Sequence, residues 1–161
     1  MIQFKTLLQL SDKNIELNDL NQDTYNKYFS KAKLDYYNIC ILLNEKIIAE
    51  KSGFEIWNSY TNAASKYINS KKVSVPFGVE PMVLNFTELE PGVIEVCLQY
   101  EEILGGESIF LFNCEEKSFI FGLTESAINF SRTMESLEDN YDSHLIESNC
   151  AYIKSNYNLF N

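Results

Sequence analysis

Residues 73–122 read VSVPFGVEPMVLNFTELEPGVIEVCLQYEEILGGESIFLFNCEEKSFIFG, and the fold is decided here. Val73, Val75 and Phe77 alternate around Pro76, then Met82, Leu84 and Phe86, then Ile94, Val96, Leu98 and Tyr100. Alternation of period two marks strands with one face buried. Pro91-Gly92, Gly105-Gly106 and Glu115-Glu116-Lys117 punctuate the runs as turns, with Ile109–Phe112 and Phe119–Phe121 as the last two runs. Strands joined by such short turns pair antiparallel, because a parallel pair needs a crossover of roughly a dozen residues or more. Pro76 cannot donate to a ladder, which places the first run at a sheet edge. The stretch reads as an antiparallel β-meander.

Register follows from the same alternation. A two-residue Gly105-Gly106 turn sets Cys97 opposite Cys114, within disulfide reach, but turns the apolar rows of the two strands to opposite faces. A three-residue loop, Leu104–Gly106, sets Tyr100 against Phe110, Leu98 against Phe112 and Val96 against Cys114. A slip of one residue exchanges faces, so hydrophobic matching selects the second register and excludes a Cys97–Cys114 disulfide. The spacings of Cys40, Cys97, Cys114 and Cys150 match no zinc pattern and suit buried, reduced thiols.

Outward from the meander, helices are predicted on both sides. Before it, Phe54, Trp57, Tyr60, Ala64, Tyr67 and Ile68 recur at helical spacing over about 53–70, with Ser52 and Glu55 in capping-box spacing. After it, Ala127, Phe130, Met134 and Leu137 form a stripe from about Thr124. A polar joint, Glu138–Ser143, then leads to a last helix carrying Ile146, Cys150, Ile153 and Tyr157. Towards the N-terminus, residues 2–9 suit a strand and residues 11–26 a polar loop. That loop enters a short helix at Thr24–Lys33, with Tyr25, Tyr28, Phe29 and Ala32 on one face. YNICILLNEKIIAE (37–50) suits a hairpin turning at Asn44-Glu45. The fold class is therefore α+β: an antiparallel meander over about 73–122 with helices mainly on one face. A length of 161 residues suits one domain, 1–161.

No cofactor motif is present, and no catalytic one. His144, the single histidine, stands six positions from Cys150, off any short-range helical face, and reads as a surface or cap residue. The segment 139–144 lacks the ligand order and glycine of a calcium loop. The N-terminal stretch has no cationic lead and a broken apolar run, so a cytoplasmic location without membrane attachment is expected.

Charge is the informative feature. The chain carries a net charge of −10, which argues against a nucleic-acid partner bound through phosphates. Residues 1–79 hold ten lysines and eight acids, whereas residues 80–147 hold fifteen acids against Lys117 and Arg132. A single-sign field of this kind steers association with a basic partner. The partner-binding candidates are Glu95, Glu101, Glu102, Glu115, Glu116, Glu138, Asp139 and Asp142. Acidity, size and the missing catalytic motif point to a non-catalytic inhibitor of the immunity or antitoxin kind, acting as monomer or homodimer on a basic toxin such as a nuclease. The abundance of Asn, Lys, Ile and Tyr suits AT-rich coding in a low-GC bacterium. The alternative is a ligand-binding or enzymatic domain with a pocket between sheet and helices near Trp57, where an embedded Glu acts as acid or base.

Overall fold

The computed structural model describes residues 2–10, 12–30 and 38–158. In chain order the elements are β1 (Phe4–Gln9), β2 (Asn14–Glu16), α1 (Gln22–Tyr25), β3 (Asn38–Leu43), β4 (Lys46–Lys51), α2 (Ile56–Ser70), β5 (Lys72–Pro76), β6 (Met82–Glu90), β7 (Val93–Tyr100), β8 (Ser108–Glu115), α3 (Glu116–Leu137) and α4 (His144–Tyr157). Two antiparallel four-stranded sheets result, in the orders β2-β1-β3-β4 and β5-β6-β7-β8, so the fold is α+β. No helix among the described residues is long and apolar enough to cross a membrane.

The second sheet is the meander, with four strands rather than five. Residues 119–121 belong to the first turns of α3, not to a strand. Phe119, Ile120 and Leu123 are buried on one helical face while Phe121 points to solvent, so period 3.6 prevails over a short run of β-formers. The β7–β8 register keeps the expected parity but slides by two: Leu98 faces Phe110, Val96 faces Phe112 and Ile94 faces Cys114. The loop is longer than three residues because Glu102–Leu104 winds into a 3-10 turn, and a bulge sits at Leu98/Gln99. Cys97 faces Leu111, and all four cysteines are free.

The first sheet contains the expected hairpin β3–β4 and the expected N-terminal strand, which pairs with β3. Residues 14–19 are not plain loop. They form β2 and a 3-10 turn, because Ile15 and Leu17 reach the core. The helix expected at Thr24–Lys33 starts earlier, at Gln22, where the Asn21 side chain accepts from Thr24 N at 2.9 Å, and it loosens into a π turn at Asn26–Ser30. Residues 31–33 of that expectation lie outside the described residues. The Ser52–Glu55 capping box does not form either: α2 begins at Ile56, and its N-cap Glu55 makes no side-chain cap bond.

The two sheets join at a narrow seam. Glu50 of β4 donates its N–H to Phe77 O (2.9 Å) and accepts from Val79 N (3.0 Å), a single parallel bridge to Gly78. Gly78 has φ +127°, and a Cβ there would lie 2.0 Å from Glu50 O. Only glycine permits both the dihedral and the approach. Behind the seam, Phe119 contacts Phe4 of the first sheet and Phe86 of the second, each at 5.4 Å between ring centroids. Trp57 Nε1 donates to Thr6 Oγ1 (3.0 Å) and Tyr60 OH to Ile48 O (2.7 Å), so α2 is fastened to the first sheet by satisfied buried polar groups. Replacing Gly78 by Ala is expected to cost about 2–4 kcal/mol through backbone strain and overlap; a urea titration that leaves the midpoint unchanged would refute this role.

Candidate functional site

The acidic candidates divide by position along the elements. Glu95 is half-buried on the outward face of β7, and Glu115 ends β8, where its carboxylate accepts from Ser118 Oγ. Glu101 and Glu102 lie exposed at the opposite end of the β7–β8 pair, roughly 25 Å away at the rise of an extended strand. Glu138, Asp139 and Asp142 sit at the α3–α4 joint, beyond a helix of 22 residues and about 33 Å from Glu115. They therefore form two acidic surfaces rather than one: the margin of β7 and β8, and the joint.

Glu116 belongs to neither surface, which corrects its assignment as a partner-binding residue. It is buried, accepting from Lys71 Nζ at 2.8 Å and from Tyr157 OH. Lys71 caps the end of α2 in the left-handed conformation (φ 56°) and also reaches Glu88 Oε1 at 3.4 Å. One cation thus ties α2, β6 and α3 together, while Tyr157 adds the end of α4. Burial works against the Lys71 charge, but the hydrogen bonds and charges of Glu116 and then Glu88 outweigh it, and its pKa rises above 10.5. Sequence spacing offered one signal for the burial of Glu116. Residues 116, 119, 120 and 123 fall on one helical face, once the helix is started at 116.

The joint lines an open groove of about 580 Å³ with Gly53, Phe54, Asn58, Glu138, Asp142 and Leu145 among its walls. Tyr141 stacks edge-on between Phe54 and Phe130 and forms its floor. Glu138 accepts from Tyr25 OH, and Asp142 Oδ1 accepts from His144 N at 3.0 Å. Of the fifteen acids in residues 80–147, only Glu88, Glu116 and Glu125 stand in ion pairs among the described residues.

Near Trp57, a depression of about 390 Å³ lies between α2 and residues 76–79, with Ile56, Tyr60 and Phe77 among its walls. Trp57, Tyr60 and Tyr67 are all buried, as members of the core. The embedded carboxylate is Glu116, but Lys71 and Tyr157 engage it. Among the described residues no group of three His, Cys, Asp or Glu side chains is placed to hold a metal ion. His144 is exposed at the start of α4, whereas the Cys150 Sγ turns inward to Thr124 O at 3.9 Å, so the two do not form a nucleophile pair. Burial raises the thiol pKa of Cys114 to about 11 and of Cys150 to about 12. No family model, curated protein or solved structure matches the chain.

Three outcomes follow from this geometry. Glu116→Ala is expected to cost about 1–3 kcal/mol, a broken buried pair discounted because Lys71 is partly solvated and keeps Glu88. Hydrogen exchange should then accelerate in the last turns of α4, and unchanged exchange there would refute the tie. The Lys71 contribution is complete below its unfolded pKa and is lost as pH rises through the higher folded value, so stability should fall above pH 10.5, and by less in Glu116→Gln, where the folded pKa is raised less. The buried thiols Cys40, Cys97 and Cys150 should resist alkylation at pH 8 in the native protein and react only on unfolding; rapid native labelling of Cys150 would contradict its burial.

Proposed function

We propose that this chain is a non-catalytic binding protein for a basic protein, of the immunity or antitoxin kind, and that its target is a basic toxin such as a bacterial nuclease. One observation carries this reading: twelve acids of residues 80–147 have no ion-pair partner among the described residues, and most stand in solvent on the β7–β8 margin and the α3–α4 joint. Such clustering costs self-repulsion, which a cationic partner would relieve. Against a nuclease, the carboxylates would stand where the enzyme holds phosphates, blocking it by charge and volume together. The enzymatic alternative draws less support: Trp57 is buried in the core, and Lys71 and Tyr157 engage the one buried carboxylate among the described residues, Glu116.

The test is retention on the immobilised protein at low salt, elution by a salt step and identification of the eluate. A single basic protein that elutes sharply, and whose activity the free chain inhibits, is the expected result. Reversing Glu101 and Glu102 to Lys, or Glu138 and Asp139 to Lys, should slow association about tenfold or more at low salt. Affinity that stays constant between low and high salt would sink the proposal.

A further inference from the structure

The margin strand β8 is the most unguarded part of the sheet. Among the described residues it pairs with β7 alone, and none of its eight residues is fully buried. Ile109 and Leu111 project from its outer face at 44% and 53% exposure, beside Ile103 at 87% and Leu104 at 56% in the preceding loop. On the other face the rings of Phe110 and Phe112 stack at 6.0 Å, with Lys46 Nζ 5.4 Å from the Phe110 centroid.

Sheet edges are ordinarily blunted by Lys, by Pro, by shortness or by a covering segment. The other described edges use these devices. β5 carries Lys72 and Pro76, β2 has three residues, and β4 is covered at Glu50 by residues 77–79. β8 has neither Lys nor Pro; its middle is Ile-Phe-Leu-Phe and it is bounded by Glu107 and Glu115. Those ends decide what fits. A second copy paired antiparallel about Leu111 would set Glu107 of each chain against Glu115 of the other, like charges opposed at both ends. A strand with an apolar centre and cationic ends meets complementary charge at both.

Resting on the reading of a basic partner, we propose that β8 is the docking edge for an extended basic segment of that partner, added as a further strand antiparallel to β8. Main-chain hydrogen bonds to the free edge supply affinity, Ile109 and Leu111 hold β-branched side chains, and Glu107 and Glu115 select Lys or Arg.

The test uses the full chain, isotopically labelled, titrated at low salt with acetyl-Lys-Thr-Val-Thr-Val-Thr-Val-Thr-Lys-amide and with the same peptide ended by Glu. Expected are amide shifts and slowed exchange confined to residues 107–115, binding lost in Leu111→Lys, binding weakened about tenfold or more in Glu107→Lys/Glu115→Lys, and none with the Glu-ended peptide. Leu111 is half-exposed, so the variant should keep its thermal midpoint, and Ile109→Lys serves if it does not. Shifts at residues 138–142 instead would overturn strand addition while leaving the basic-partner reading intact. No binding of the Lys-ended peptide would overturn it too, and so would a concentration-dependent dimer that Leu111→Lys abolishes. Failure of the wider reading is separate and would show as no basic protein retained at low salt.

Discussion

The seam between β4 and residues 77–79 is the constraint on which the remaining geometry rests. Two sheets of opposite sequence location could pack face to face or drift apart. Here two backbone hydrogen bonds and a parallel bridge at a glycine without room for a Cβ hold them edge to edge. With the sheets joined this way, α2 touches β4 and β5, and α3 touches β1, β7 and β8. Phe119 can then touch Phe4 and Phe86 at once. Had the sheets stacked as a sandwich, the faces these helices touch would have been covered by strands, and the helices would have had no common surface to bury.

The same arrangement sorts the acids. Helices on one side consume the inner faces of β6 to β8, so a carboxylate on an alternating strand must face out, stand in a turn or find a cation. Lys71 is that cation for the one acid drawn under the helices, Glu116. The other seven partner-binding candidates are left at the rim of the second sheet and at the far end of α3, two separate surfaces of the same sign. A partner large enough to cover both would span the length of α3, which is the scale of a small domain.

Much of this was legible in the sequence, and the omissions have physical causes. Strands with one buried face announce themselves by alternation, so β5 to β7, the β3–β4 hairpin and the parity of β7 against β8 could be read directly. The exact pairing could not, because Glu102–Leu104 take up residues in a 3-10 turn that no glycine count reveals. The first turns of α3 resemble a strand because Phe119, Ile120 and Phe121 are strong β-formers, and only contact with Phe4 and Phe86 decides otherwise. Glu116 looked like one solvated acid in a run of them. Its partners Lys71 and Tyr157 lie 45 and 41 positions away, beyond any local pattern. The unguarded edge, by contrast, was implicit in IFLF between two acids, but strand order was needed to expose it.

The topology also implies an order of assembly. The strands of the meander follow one another along the chain and close through short loops, so their pairings cost little chain entropy. The seam instead joins Glu50 to Gly78 around the whole of α2, and β1 must wait for β3, with Phe4 meeting Leu43. Contacts of low sequence separation form early and those of high separation late. The second sheet is thus the natural nucleus, and the first sheet condenses upon it through a single glycine. Destabilising substitutions in β6 or β7 would then slow folding, whereas those at Gly78 would chiefly hasten unfolding. Kinetics in which Gly78 substitutions slow folding most would reverse that order.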